Sequence, residues 1–219
     1  MKPKNIIIRH GESEANINKK LYKDTPDHVM ELTDCGRGQC VQTGKRLKGL
    51  LDEKRITVWQ SPYTRTRQTA EIIVSQLENS KMRVKEDPRL REQEWGNFYT
   101  VDEITRERED RRRHSNFFYR IKNGESGADV YDRISTFLET LHRDFESDTW
   151  TETIIICTHG ITALIFLMRF FHWNYEDYET SVKFDNCEYV VLELNNHTKK
   201  YEISEDYRSI KRDKYWGSL

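Results

Sequence analysis

The sequence lacks any long apolar run. The longest one, residues 161–168, is far shorter than the roughly 20 residues that a helix needs to cross a bilayer. The apolar run that begins at Ile6 ends at Arg9, which is too short for the core of a secretory signal. We therefore expect a soluble, cytoplasmic protein with no membrane partner.

Cysteine is scarce, and neither sign of charge is in excess. The four cysteines form no Cys-x-x-Cys pair, which predicts reduced thiols in an intracellular protein; they are Cys35, Cys40, Cys157 and Cys187. The 36 basic and 37 acidic residues leave a formal net charge of −1, which argues against a nucleic-acid partner but allows a local basic pocket. No residues have metal-ligand spacing, so we expect neither a metal nor another cofactor.

The apolar residues form β-branched runs that are separated by helical periodicities. Residues 6–8 and 154–156 are continuous isoleucine runs, typical of strands buried on both faces of a parallel sheet, and residues 56–59 are a third candidate. Helical periodicity lies between them, over residues 34–51, 70–77 and 130–145. Strands that alternate with helices predict a layered α/β fold with a mainly parallel sheet. Further strands are predicted over residues 188–194 and 200–204, followed by a charged tail from Tyr207.

Each predicted buried strand is followed by polar residues that packing alone does not require. They are Arg9-His10-Gly11, Gln60-Ser61-Pro62 and Thr158-His159-Gly160. In open α/β sheets, ligands bind at the carboxyl ends of the strands. We therefore expect the three strand ends to converge on one site.

The residue types at these ends suit phosphate. Guanidinium groups bind phosphate oxygens through two parallel hydrogen bonds, and a neutral imidazole nitrogen can attack phosphorus. Arg65 and Arg67 begin the helix after the second strand, and residues 12–16 predict a helix start whose free N–H groups face an anion. For His10 alone, a core histidine bonded to a backbone carbonyl is an alternative, and solvated arginines are the alternative for Arg65 and Arg67.

In their order and spacing, these motifs resemble the histidine phosphatase superfamily, the phosphoglycerate mutase-like proteins. The matching blocks are Arg9-His10-Gly11-Glu12 with Asn16, Leu32-Thr33 with Gly36 and Gln39, Ser61-Pro62 with Arg65 and Thr69-Ala70, Leu90-Arg91-Glu92 with Gly96, and His159-Gly160. Other segments, including Thr25-Pro26-Asp27-His28 and Gly124-Glu125-Ser126, resemble a eukaryotic-type branch regarded mostly as phosphatases. The resemblance implies a three-layer α/β/α sandwich with a mainly parallel central sheet.

The resemblance also implies a role for each strand-end residue. His10 would take the phosphoryl group and become phosphohistidine. Arg9, Arg65 and His159 would hold the phosphoryl oxygens and stabilise the charge of the transition state. Two cations beside His10 disfavour a third, so we expect its pKa to be depressed and its imidazole to be neutral near pH 7.

Glu92 would protonate the departing oxygen and then accept a proton from the attacking water, as the resemblance implies. Glu94 and Glu12 are the alternatives for this acid, and each of these carboxylates could instead lie on the surface. Asn16 and Gly160 would line the substrate pocket. Cys157 precedes His159 by two residues, but a small apolar residue inside a buried strand explains it better than a nucleophile does.

We predict one domain over residues 1–219, with residues 97–127 as a short helical cap over the site. Within the cap, residues 102–114 contain five basic and five acidic side chains. This balance favours a solvated helix with pairs such as Glu109–Arg113, while some of residues 111–113 could still face a substrate. Nearby aromatic residues suit either a wall of the site or core packing; they are Trp95, Tyr99, Phe117, Phe118 and Tyr119.

The function that these features favour is a metal-independent phosphatase acting on a small phosphorylated substrate. One alternative is a 2,3-bisphosphoglycerate-dependent phosphoglycerate mutase, which must enclose its intermediate away from water. The short segment between Glu92 and Glu125 favours the phosphatase. A second alternative is a catalytically weak interaction module. The presence of the full set of site residues argues against it. The sequence leaves a homodimer open.

Overall fold

One mixed sheet runs through the molecule. The computed structural model describes residues 3–51, 54–77, 80–97, 100–147, 151–181 and 183–204; the tail predicted from Tyr207 lies outside them. The strands of this part are β1 (Lys4–Arg9), β2 (Arg55–Gln60), β3 (Lys81–Glu86), β4 (Thr153–Thr158), β5 (Tyr189–Leu194) and β6 (Tyr201–Ile203). Their order is β3-β2-β4-β1-β5-β6. The first four in this order are parallel, and β5 and β6 are antiparallel to their neighbours.

Helices cover both faces of the sheet. They are α1 (Glu14–Ile17), α2 (Asp34–Leu51), α3 (Thr64–Ser75), α4 (Val101–His114), α5 (Gly127–Ser147), α6 (Gly160–Phe170) and α7 (Tyr175–Thr180). Short 3₁₀ helices span Lys19–Lys23, Asp27–Val29 and Pro88–Leu90. Among the described residues, no helix is both long and apolar enough to pass through a bilayer.

The alternating side chains of the central strands explain the layers. Ile6 and Ile8 of β1 pack with residues of α2 and α3, whereas Ile7 packs with residues of α5 and α6. Because successive side chains point to opposite faces, a strand covered on both faces must be apolar at every position. The predicted three-layer α/β/α sandwich is confirmed.

Strand register brings the three polar strand ends together. Ile6 of β1 pairs with Ile155 of β4, and the amide of His10 donates to the carbonyl oxygen of Thr158 at 3.0 Å. On the other side of β4, the amide of Ser61 donates to the carbonyl oxygen of Cys157 at 3.0 Å. The residues that follow β1, β2 and β4 therefore lie at one edge of the sheet.

Two elements differ from the sequence-based expectation. Strand β3 was not predicted, because it lies at the sheet edge and its side chains are exposed or half-buried, including Val84. The helix expected after His10 is only a single turn. Asn18 ends it in an extended conformation, and its side chain accepts a hydrogen bond from the amide of Lys20, which competes with a further helical turn.

The loop that carries His10 lies directly against the first turn of α2. A Cβ atom at Gly36 would collide with the carbonyl oxygen of Glu12, and one at Gly11 would lie 2.7 Å from the carbonyl oxygen of Gly36. The amide of Thr33 donates to the same Glu12 oxygen at 3.0 Å. The two glycines thus allow a close backbone contact that holds the loop against the helix.

Candidate active site

A cavity of about 410 Å³ lies at the carboxyl edge of the sheet, within the size range of small-molecule sites. One part of its wall consists of residues that follow the strands or lie close to their ends: Arg9, His10, Asn16, Arg65, Glu92 and Gly160. Another part belongs to α4 and includes Ile104, Arg108, Arg111 and Arg112. The expected convergence of the strand ends is therefore observed, and α4 of the predicted cap lines the same cavity.

The hydrogen bonds of His10 identify its tautomer. Nδ1 lies 2.6 Å from the carbonyl oxygen of Gly11, which only accepts, so Nδ1 must carry the proton. The Nε2 lone pair is then free to accept, and Arg65 Nε donates to it at 3.2 Å. The backbone oxygen of His10 accepts from the amide of Cys187 and from Asn186 Nδ2. Backbone and ring are thus both held in place.

His10 is neutral at physiological pH. Burial, with smaller contributions from the guanidinium groups of Arg65 and Arg9, holds its pKa well below the usual value. The side chain is only 4% exposed, and desolvation disfavours the charged imidazolium. The direction matches the expectation from the sequence, but its largest cause is burial rather than the two cations.

Asp27 orients Arg65. The two carboxylate oxygens of Asp27 accept from Nη1 and Nη2 of Arg65 at 2.9 and 3.1 Å, and its backbone oxygen accepts from Nη1 at 2.6 Å. This two-point geometry leaves the guanidinium little freedom. This role of Asp27 was not predicted, because its only sequence signal was its place in a matched segment far from the strand ends.

Arg9 keeps donors available beside His10. Its Nη1 donates to the carbonyl oxygen of Phe184 at 2.5 Å, whereas its buried Nε has no hydrogen-bond partner in the described part of the chain. Burial lowers the pKa of Arg9, but a guanidinium remains charged in proteins. A fixed positive charge with an unused donor therefore lies next to the imidazole.

His159 lies behind the cavity wall and is fully buried. Its ring contacts that of His10 edge-on, with 5.1 Å between centroids. The Ser61 hydroxyl accepts from the amide of Tyr63 and is hydrogen-bonded to His159 Nε2 at 2.8 Å. His159 Nδ1 has no partner among the described residues. Burial, followed by the charge of Arg65, holds the pKa of His159 well below its usual value.

The N-terminus of α6 holds the carboxylate of Glu92. Oε1 accepts from the amide of Thr162 at 3.2 Å, and Oε2 accepts from the amide of Ile161 at 3.3 Å. The Thr162 hydroxyl, 3.1 Å from Oε1, donates to the carbonyl oxygen of Arg91 at 2.7 Å. Of the alternatives, Glu94 also lines the cavity, whereas Glu12 accepts from the Thr33 hydroxyl and is not part of the wall. The helix N-terminus at this site is therefore occupied by a protein carboxylate.

An ion pair beneath Glu92 was not foreseen from the sequence. Arg133 of α5 pairs with Glu125 at 3.1 Å and donates to the backbone oxygens of Glu92 and Arg89. Glu125 also pairs with Arg91. Both side chains of the Arg133–Glu125 pair are largely buried. The ion pair therefore fixes the guanidinium that donates to the backbone oxygen of Glu92.

Asn16 and Gly160 lie in the cavity wall, as expected. The Asn16 side-chain oxygen accepts from the amide and hydroxyl of Ser13 and from Asn186 Nδ2, which leaves its own NH₂ group available to donate. A Cβ at Gly160 would lie 3.5 Å from Arg9 Nε, so this glycine sits against the guanidinium.

Helix α4 differs from the solvated helix that its charge pattern predicts. The expected outer pairing exists, since exposed Arg113 contacts Glu109 at 3.9 Å and Asp110 at 3.5 Å. Arg111, however, is only 5% exposed and donates to the carbonyl oxygen of Asn116. A charge pattern along the chain does not show which side chains the neighbouring loop covers.

The aromatic residues around α4 have different environments. Trp95 lines the cavity, with the guanidinium groups of Arg108 and Arg111 at 5.5 and 5.3 Å from its ring. Phe117 belongs to the core, Phe118 is exposed and Tyr119 stacks on His114. Tyr99 lies outside the described residues. Only Trp95 of the expected wall is seen at the cavity.

The cysteines are free thiols. Cys157 is fully buried in β4, donates to the carbonyl oxygen of Thr66, and has a pKa that burial raises well above its usual value. This confirms its interpretation as a small apolar residue inside a buried strand. Over the described ranges, the structure has no group of three or more His, Cys, Asp or Glu side chains placed to hold a metal ion.

The two buried histidines predict a pH-dependent stability. Both have folded-state pKa values below 6.5, so beneath that pH the unfolded chain binds protons that the folded protein does not. The contribution of the two histidines to the free energy of unfolding is therefore fully present above pH 6.5. It falls as the pH decreases below that value, by about 1.4 kcal/mol per pH unit for each histidine. The free energy of unfolding, measured with urea between pH 6 and pH 5, should therefore change less with pH in His159→Gln than in the wild type, its slope against pH being smaller by about that amount.

The control for this slope is His197→Gln, since His197 is exposed in a turn. We expect the control to keep the wild-type slope. Identical slopes in His159→Gln and the wild type would contradict the assignment of His159 as a buried neutral histidine.

Comparison with known proteins agrees with this geometry. The Histidine phosphatase superfamily (branch 1) matches residues 5–206. A phosphoglycerate mutase-like protein of Arabidopsis thaliana is 39% identical over 211 residues, 89% of this chain and 75% of that protein. A broad-range acid phosphatase of Saccharomyces cerevisiae is 27% identical over 291 residues, 90% of this chain and 87% of that one. A mycobacterial glucosyl-3-phosphoglycerate phosphatase has the same fold, with a TM-score of 0.71 and 18% identity over 92% of this chain and 97% of its own. The chain belongs to the histidine phosphatase superfamily.

Proposed function

We propose that this protein is a metal-independent phosphatase that hydrolyses phosphate monoesters through a phosphohistidine on His10. The main support is a buried donor without a protein partner in the described residues, Arg9 Nε, beside the neutral imidazole of His10. An unsatisfied buried donor costs about 1–3 kcal/mol. An oxygen of a phosphoryl group on His10 would accept from Arg9 Nε, and His159, whose ring contacts that of His10, would donate to a second oxygen in the tautomer that carries the proton on Nδ1.

The first step transfers the phosphoryl group to the enzyme. The Nε2 lone pair of His10 attacks phosphorus, the bond from phosphorus to the ester oxygen breaks, and Glu92 gives its proton to that oxygen. The guanidinium groups of Arg9 and Arg65 and the Nδ1–H group of His159 hold the phosphoryl oxygens. Such fixed donors need no reorganisation as charge develops.

The second step transfers the phosphoryl group to water. The Glu92 carboxylate accepts a proton from water as the oxygen of that water attacks phosphorus. The bond from phosphorus to nitrogen breaks, the electron pair returns to Nε2 and phosphate leaves. The proton on Nδ1 stays with the Gly11 carbonyl throughout, so the imidazole is neutral before and after the cycle.

Two guanidinium groups supply the positive charge that metal ions supply in many phosphoryl-transfer enzymes. Arg65 is oriented by Asp27 and Arg9 by the Phe184 carbonyl oxygen, so both charges are preorganised. The relatives described above include both a phosphatase and a mutase-like protein. A mutase would return the phosphoryl group to a bound intermediate instead of passing it to water, and the following experiment separates the two.

Hydrolysis of p-nitrophenyl phosphate is expected to persist in EDTA and to fall at least roughly 10³-fold in His10→Ala, because removal of a nucleophile abolishes covalent catalysis. Phosphate release is the readout, and His197→Ala is the control. Activity that survives His10→Ala, or that EDTA removes, contradicts the proposal. With 3-phosphoglycerate and 2,3-bisphosphoglycerate we expect phosphate release without formation of 2-phosphoglycerate.

Asp27→Asn should lower kcat/KM for p-nitrophenyl phosphate about 10- to 100-fold, since it removes the two-point contact that orients Arg65. Inhibition by inorganic phosphate should weaken in parallel. The matched control is Glu86→Gln, which removes a similar contact to exposed Arg67 of the same helix, at 2.6 and 2.8 Å.

The control should stay within about twofold of the wild type, because exposed ion pairs contribute little. Equal losses in the two variants, or a loss in Asp27→Asn without weaker phosphate inhibition, would show that Asp27 does not act through Arg65.

A further inference from the structure

The cavity wall carries more positive charge than transfer of one phosphoryl group requires. Besides Arg9 and Arg65, its cationic side chains are Lys19, Arg108, Arg111, Arg112 and Lys183. None of these five has a role in the steps proposed above. The net charge of the whole chain is only −1, so this positive charge is local and directed into the cavity.

Three of the four carboxylates of the wall are held by other partners, and the fourth, Glu94, is exposed. Asp27 pairs with Arg65, and Glu92 accepts from the amides of α6. Glu179 accepts from Ser115 Oγ and Asn116 Nδ2 at 2.7 Å each and from the amide of Phe117. Within the part of the chain that the structure describes, none of the five cations forms an ion pair.

Two of the five cations, Lys19 and Lys183, are disfavoured by the charges of neighbouring arginines. Arg111 is buried, and the partner of its Nε and Nη2 is a neutral carbonyl oxygen, that of Asn116, at 3.0 and 2.6 Å. Burial and the charges of Arg111, Arg112 and Arg108 lower the pKa of Lys183; burial and the charges of Arg108 and Arg9 lower that of Lys19. Partly desolvated like charges at close range are unfavourable, and an anionic ligand would relieve them.

We propose that these five side chains form a second anion subsite, and that the substrate class is a small bisphosphate whose second phosphate binds there while the first reacts at His10. Guanidinium forks suit a phosphate dianion, and the cavity has the size of a small-molecule site. The subsite lies on α4 and on the segments carrying Lys19 and Lys183, apart from the strand ends. This inference rests on the proposed function and names its substrate class.

Competition against p-nitrophenyl phosphate tests the subsite. The ligands are alkyl phosphates of three to six carbons and the matching α,ω-alkanediyl bisphosphates, which differ only in the second phosphate. In the wild type we expect an inhibition constant at least tenfold lower for the best bisphosphate than for its monophosphate. The double variant Arg108→Gln/Arg112→Gln should reduce this ratio at least fivefold.

Arg113→Gln is the matched control, because Arg113 is on the same helix but is exposed and pairs with Glu109 and Asp110. It should keep the wild-type ratio within twofold. A ratio near one at every chain length, or an equal fall in the control, overturns the subsite.

Failure of the proposed function has a different signature, namely no His10-dependent hydrolysis of p-nitrophenyl phosphate. Calorimetric titration of His10→Asn with the same ligand pairs then measures the ratio without turnover. A bisphosphate preference in that titration supports the subsite even so, and equal affinities overturn it.

Discussion

The hydrogen bond from His10 Nδ1 to the carbonyl oxygen of Gly11, at 2.6 Å, decides which nitrogen of the imidazole faces the chemistry. With the proton held on Nδ1, the lone pair is on Nε2 and accepts a hydrogen bond from Arg65 Nε. The contact depends on where Gly11 lies, and Gly11 is fixed by the close approach of Gly36 and by a hydrogen bond from its amide to Thr69 Oγ1. The packing of the loop against α2 and α3 therefore determines the orientation of the nucleophile.

Most cationic side chains of the cavity wall are not paired with its carboxylates. Burial keeps His10 and His159 neutral although guanidinium groups surround them. Three of the wall's four carboxylates are held by their own partners: Asp27 by Arg65, Glu92 by the start of α6 and Glu179 by the loop after α4. Because the remaining cations form no ion pair in the described residues and outnumber the carboxylates of the wall, the cavity favours anionic ligands.

Sequence reasoning succeeded where a residue's neighbours along the chain determine its environment. β1, β2 and β4 were predictable because strands covered on both faces need unbroken apolar runs, and the residues after them were therefore placed at one edge. It failed for β3, whose exposed edge position needs no apolar pattern, and for the buried Arg111, whose covering loop is not encoded in the helix itself. The roles of Asp27, Ser61 and the Arg133–Glu125 pair depend on side-chain contacts between distant segments, which spacing does not reveal.

In the proposed mechanism, the phosphoryl group passes through His10 Nε2. A rapid-quench experiment with a ³²P-labelled aryl phosphate, under single-turnover conditions, would trap this intermediate. We expect labelled protein that is stable in alkali and labile in acid, with the label on the peptide containing His10. Label on another residue, or hydrolysis at full rate without any labelled protein, would contradict this mechanism.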